Sequence, residues 1–272
     1  MSAVRPVLLA VAHGTRDPGG IAVITGLVDR VRNLAPGLRV ELGFVDHAAP
    51  SVTSALARLA AEGAPTAVVP LLLAAGAHSK GDIPAAIQQA RSEHPEWLVA
   101  YGRPLGPHPL LVAALDRQLR EAGVAPDTAV VLVAAGSADP DTNADAAKCA
   151  RLLWEWRGGA APVEAAYAAA TRPTVSEAID RLRLLGHADI AVAPYLLAPG
   201  RLPASTDRAE VTMAGVLGET DEVVRLVLER YAEALAGDLR MNCDLCRYRT
   251  PWPGRAADVG AQQQPHRHPA DG

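Results

Sequence analysis

The chain is written twice. "VAHGTRDP" at Val11–Pro18 returns as "VAAGSADP" at Val133–Pro140. "VELGFVDHAAPSV" at Val40–Val52 returns as "VEAAYAAATRPTV" at Val163–Val175, and "VPLLLAAG" at Val69–Gly76 as "APYLLAPG" at Ala193–Gly200. Three blocks thus recur in one order at a spacing of about 123 residues, the mark of a tandem duplication. A fourth, "PLGPHPLLVAAL" at Pro104–Leu115, returns as "VLGETDEVVRLV" at Val216–Val227 about 12 residues early, so the second copy has lost about one helix after Gly200. A duplication within 272 residues confines each copy to a small unit with its own core.

Within a copy, apolar runs of strand length ("PVLLAVA", "VELGFV", "TAVVPLLL", "LVAYG") alternate with helix-length segments. In "SVTSALARLAAEG", Ser51 can cap a helix, Leu56 and Leu59 share a face, and Gly63 can close the end. Continuous apolar strands separated by helices predict parallel sheets covered on both faces. The expected fold class is therefore α/β, with two tandem doubly wound parallel-sheet domains. The expected boundaries are 1–124 for the first domain, 125–237 for the second, and 238–272 for a tail. The break near "GVAPDT" carries the Gly and Pro of a linker.

Composition narrows the function. Charged residues make up 21 % and the net charge is −4, so no basic field exists for nucleic acid. No apolar run is long enough to span a membrane; "AVVPLLLAAGA" is broken by Pro70 and Gly76. The start lacks the pattern of a secretory signal, and three cysteines make no disulfide framework. The expectation is a cytoplasmic protein. There is no phosphate-binding G-x-x-x-x-G-K-[ST] loop, and "AAGSADP" lacks the second Gly of a hydrolase elbow. "AHG" also lacks the Arg that would precede a phosphohistidine.

Ligands of open parallel sheets bind beyond the carboxyl ends of the strands. His13 follows the first strand, Asp46 and His47 the second, and His78 comes shortly after the third. Their counterparts in the second copy are Ala135, Ala169, Ala170 and Leu202. One edge of the first sheet is polar, and the duplicate has lost that polarity entirely. A lone histidine at a strand end is usually structural; a set that disappears together points to chemistry. His94, His108 and His187 fall in loops or at helix ends and read as structural. Imidazole and carboxylate ligands suit divalent Fe, Co, Ni or Zn. A site with two or three protein ligands is open, so it can activate water or hand its metal on.

"VAHGTRDP", "FVDHAAPSV", "PLLLAAGAHSKGDIP" and "PLGPHPLL" together resemble the class II chelatases, which insert a divalent metal into sirohydrochlorin. These include the sirohydrochlorin cobaltochelatase of cobalamin biosynthesis and the sirohaem ferrochelatase. The resemblance covers roughly residues 5–235, and "AGAHSKGDIP" is its most specific part. It implies that His13 and His78 are the metal-binding, catalytic pair. The family's "FLE" is "FVD" here, so Asp46 stands in with a shorter arm, and His47 is an alternative third residue. It also implies an ATP-independent insertion of Co2+ or Fe2+, with the metal and the tetrapyrrole as substrates. Arg16, Lys80 and Arg201 are placed to meet the carboxylates of that macrocycle. A non-catalytic metal carrier or tetrapyrrole-binding protein is the alternative, and a metal-dependent hydrolase a third reading.

The tail contains M-x-C-x-x-C at Met241, Cys243 and Cys246, followed by His266 and His268. It resembles the iron–sulfur tail of long cobaltochelatases. Two thiolates do not complete a cluster, so the resemblance implies further ligands or a homodimer through the tail.

Overall fold

The computed structural model describes residues 5–200 and 211–237. Arg201, Leu202, Cys243, Cys246, His266 and His268 lie outside the described residues. The chain forms two compact units, residues 1–105 with 224–272, and residues 106–223.

The first unit holds a four-stranded parallel sheet in the order β2-β1-β3-β4: β1 Val7–Ala12, β2 Val40–Phe44, β3 Thr66–Pro70 and β4 Val99–Tyr101. Its helices are α1 Pro18–Leu34, α2 Val52–Ala61 and α3 Ile83–Glu93, with α3 preceded by a π-helical turn at His78–Asp82. Every residue of β1 is buried, as a central strand covered on both faces requires. Polar and apolar residues do not alternate along it because neither face meets water; Leu9, Val11, Leu56 and Val68 lie in one core cluster. β3 stops at Pro70, earlier than its apolar run suggests. Leu71 still donates to the Val11 carbonyl at 2.7 Å, but the chain then turns away and Leu72 accepts from Leu105 at 2.8 Å.

The second unit repeats the sheet as β6-β5-β7-β8: β5 Ala129–Ala134, β6 Val163–Tyr167, β7 Ile190–Pro194 and β8 Thr212–Met213. Helices α4 Pro109–Glu121, α5 Pro140–Trp156 and α6 Val175–Leu184 belong with it, and α7 Asp221–Leu235 begins there. Cys149 on α5 is fully buried, and burial pushes its thiol up to about 12, so it behaves as core.

Several residues kept between the two copies have backbone duties. Asp17 caps α1 by accepting from Gly19 and Gly20, and Asp139 caps α5 by accepting from Asp141; Pro18 and Pro140 follow as first helical residues. Thr15 accepts from the Asp17 amide at 3.1 Å, and Ser137 does the same for Asp139 at 3.0 Å. Ser51 and Thr174 cap α2 and α6. His108 turns out to cap α4, its Nδ1 accepting from Leu110 at 3.2 Å.

The compact units do not follow the sequence break near residue 124. Helix α4, last in the first repeat, belongs to the second unit, where Asp116 pairs with the largely covered side chain of Arg157 at 3.2 Å. The body of α7, last in the second repeat, belongs to the first unit. Buried Arg230 on α7 donates to the carbonyls of Pro104 and Leu105 at 2.9 Å each, and to Glu233 at 2.7 Å. Glu233 in turn accepts from Arg103 at 3.0 Å, and Tyr231 donates to the Pro6 carbonyl at 2.6 Å.

Arg230→Ala strips two buried carbonyls of their donor, at about 1–3 kcal/mol for each group left unsatisfied. The expected loss is about 3 kcal/mol, read as a lower urea midpoint. A chain ending at Gly237 should keep the wild-type midpoint, whereas one ending at Val223 should lose the folded first unit although it lacks no strand of that sheet.

Candidate metal centre

In the first sheet the strand order turns back at β1: β2 lies on one side and β3 on the other. The crevice between β1 and β3 is the topological switch point, where open α/β sheets bind ligands. Three loops leave the carboxyl ends of β1, β2 and β3 there.

The first two loops are tied together. The β1–β2 ladder runs past the strands: Val45 donates to Ala12 at 2.9 Å and Asp46 to His13 at 2.8 Å. This demands close passage of Gly14, φ +95°, across the Asp46 carbonyl, where any Cβ would collide with backbone. The second copy repeats the device, with Gly136 at φ +83° against the Ala169 carbonyl and Ala169 donating to Ala135 at 3.0 Å. His47 sits at φ 60°, and its counterpart Ala170 at φ 62°, so the turn is a property of the backbone and not of the imidazole.

The third loop is held by Ser79 and Tyr101. The Ser79 hydroxyl accepts from the Gly76 amide and donates to the Gly76 carbonyl, both at 3.0 Å. In the π-helical turn the Ile83 amide donates to the His78 carbonyl, one residue farther back than in an α-helix. The next potential donor belongs to Pro84, which has none, so the Ser79 carbonyl accepts from the Tyr101 phenol at 2.7 Å instead. Sequence reasoning missed this clamp. Ser79 and Pro84 sit inside the diagnostic "AHSKGDIP", but nothing in the sequence ties Tyr101 to it.

These loops bring His13, Asp46 and His78 together. Each can offer one ligand atom, and the three atoms lie within 4.8 Å of one another. The rings of His13 and His78 are 4.5 Å apart between centroids. His47 stands off, 6.3 Å from His13 and edge-on, and is not in the trio. Among the described residues this is the one group of three His, Cys, Asp or Glu side chains spaced to hold an ion. Three N/O donors leave coordination positions free, and no thiolate among the described residues competes. Arg16 is exposed three residues after His13, and Lys80 lies in the π-helical turn two residues after His78.

A sequence model of the CbiX family matches residues 7–122 and, again, residues 129–234. The chain belongs to the CbiX family. The double match restates the duplication, each repeat of this CbiX-family chain being one copy of the family's unit. Among curated relatives, a sirohydrochlorin cobaltochelatase of Priestia megaterium is 33 % identical, over 89 % of this chain and 84 % of its own. A sirohydrochlorin ferrochelatase of the same organism is 30 % identical, over 89 % and 94 %. SirB from Bacillus subtilis, solved with Fe3+, superposes with a TM-score of 0.74 at 27 % identity, over 85 % of this chain and 96 % of that one. One doubly wound unit per match, present twice, is thus the fold of this chain. No helix among the described residues is long and apolar enough to cross a membrane.

Burial of the His13 ring lowers its pKa below 6.5; the neighbouring His78 adds to the shift, Asp46 opposes it, and His47 lowers it again. A lowered value means that His13 remains neutral, and able to bind a metal, at a pH where a free imidazole is already half charged. Metal binding through His13 should therefore persist as pH falls through 6.5 and disappear only below it. Ring-proton NMR of the metal-free protein checks this, with a His13 midpoint below 6.5 as the expected result.

Proposed function

We propose that this CbiX-family chain is a chelatase that inserts a divalent metal, Co2+ or Fe2+, into sirohydrochlorin without ATP. The observation that carries the proposal is the His13–Asp46–His78 trio at the switch point of the first sheet, in a chain related over most of its length to sirohydrochlorin chelatases. Both ions are substrates here. In this reading His13 and His78 hold the ion and Asp46 supplies the anionic ligand, while Arg16 and Lys80 face the carboxylates of the macrocycle.

The chemistry asks for what the trio has. A free tetrapyrrole gives up two N–H protons as the metal enters its ring, so the site needs a base beside the ion. Neutral imidazole serves as ligand and as proton acceptor near neutral pH. Three nitrogen and oxygen ligands hold the ion loosely enough to release it, which thiolates would resist. A non-catalytic carrier would share the trio but would deliver one metal per chain, whereas an enzyme turns over many macrocycles.

The test is sirohydrochlorin metallation followed by absorbance, with Co2+, Fe2+ and Ni2+ in parallel. His13→Ala and His78→Ala should each abolish turnover with the fold intact, and Asp46→Ala should impair it more than His47→Ala. Equilibrium dialysis should find one catalytic metal per chain, because the second copy has Ala135, Ala169 and Ala170 at the matching places. Near-normal turnover by either histidine variant overturns the assignment.

The proposal extends to an iron–sulfur cluster on the tail. Cys243 and Cys246 supply two thiolates, half of what such a cluster takes, so a second chain's pair, in a homodimer, or His266 and His268 would complete it. Anaerobically purified full-length protein should show cluster absorbance, and a chain ending at Gly237 should lose it while still inserting metal.

A further inference from the structure

His78 makes a second contact through its ring. Its Nδ1 lies 2.7 Å from the Asp82 carboxylate, at the other end of the π-helical turn. Asp82 stands at the N-cap position of α3, where an aspartate ordinarily accepts from the first amides of the helix. Here it does not. Its backbone is already helical, φ −64° and ψ −48°, and its side chain makes no capping hydrogen bond. Asp17 and Asp139, by contrast, spend their carboxylates on caps. The π-helical turn runs straight into α3, which leaves the Asp82 carboxylate for the imidazole.

A neutral imidazole has one N–H and one lone pair, and the partner of one nitrogen decides what the other can do. A carboxylate accepts only, so a hydrogen bond to Asp82 puts the proton on Nδ1 and the lone pair on Nε2. The pair is solvent-accessible, with 33 % and 56 % of its side chains reached by water, and an ion pair in that setting contributes little to stability.

We propose that Asp82 is a positioning residue, whose carboxylate holds the His78 ring in the Nδ1–H tautomer and aims Nε2 at the incoming metal. This rests on the reading of His78 as a metal-binding residue. Asp82 touches neither the ion nor the macrocycle; it sets the ring that does. Outer carboxylates of this kind typically change metal affinity or activity by about 10–100-fold when removed.

The test uses the full-length chain and its Asp82→Ala, Asp82→Asn and His78→Ala variants. Three quantities are read: the Co2+ dissociation constant by visible absorbance, the His78 tautomer in the metal-free protein by 15N NMR, and the urea midpoint. Asp82→Ala should weaken Co2+ binding about 10–100-fold, abolish the Nδ1–H preference and leave the urea midpoint unchanged. Asp82→Asn, whose amide oxygen can still accept from Nδ1–H, should recover most of the affinity. If Asp82→Ala binds Co2+ like the wild type with the tautomer unchanged, while His78→Ala loses binding, Asp82 has no positioning role and the metal centre stands. A fall in the urea midpoint that accounts for the lost affinity, with the tautomer unchanged, makes Asp82 structural and overturns the proposal. If His78→Ala keeps wild-type affinity, the ion does not use His78, and the metal-centre reading falls together with the proposal.

Discussion

One backbone hydrogen bond carries the candidate metal centre, from the Asp46 amide to the His13 carbonyl at 2.8 Å. It extends a parallel ladder two residues beyond the strands. It can form only because Gly14 presents no Cβ to the Asp46 carbonyl. Any larger residue would have to displace a carbonyl that the ladder itself holds in place, so the glycine and the bond stand or fall together. The same bond exists between Ala169 and Ala135 in the second unit, where no side chain has anything to bind. The constraint acts on main-chain atoms alone. It therefore fixes where residues 13 and 46 sit while leaving their identities free, and a duplicated copy can lose its ligands without disturbing its fold.

The close pair of imidazoles sets the second requirement. Partial desolvation of the His13 ring, with the His78 ring 4.5 Å away, disfavours a proton on His13. Asp46 opposes this effect but does not reverse it. The arrangement thus disfavours a proton on His13 and leaves its lone pair within 4.8 Å of ligand atoms on Asp46 and His78. Exposure matters as well. His13 and Asp46 are exposed and His78 is half-buried, so a bound ion would remain reachable by a flat ligand approaching from solvent.

Most of the scaffold was legible in the sequence because it is locally encoded. Buried parallel strands have to read as unbroken apolar runs, and Asp17-Pro18, Ser51 and Thr174 announce their helices by chemistry that operates within a few residues. The grouping of the candidate site was legible because the duplication supplied its own control: His13, Asp46 and His78, which the fold brings together, stood out against alanine and leucine in the repeat. The choice between Asp46 and His47 was not legible, since adjacent residues on a turn diverge by an angle that only coordinates reveal. Tyr101 was invisible for a different reason. Its bond to the Ser79 carbonyl answers a donor lost at Pro84, and such compensation joins residues that share no pattern. The exchange of α4 and α7 between units was hidden most completely. "PLGPHPLLVAAL" and "VLGETDEVVRLV" align because both encode a terminal helix, and an amphipathic stripe does not say which of two similar sheets it will cover.

That exchange has a consequence for how the protein is made. The hydrogen bond from Tyr231 to Pro6 joins positions 225 residues apart, close to the longest closure the described residues could contain. A ribosome that has issued every member of the trio by His78 must still polymerise about 150 residues before α7 emerges to join the first unit. Throughout that interval the nascent first repeat lacks its last helix, while α4 waits for a sheet not yet translated. The trio is among the earliest parts of the molecule to be synthesised, and the helix that completes its unit is among the last of the described elements, which ties the folding of the first unit to the synthesis of α7.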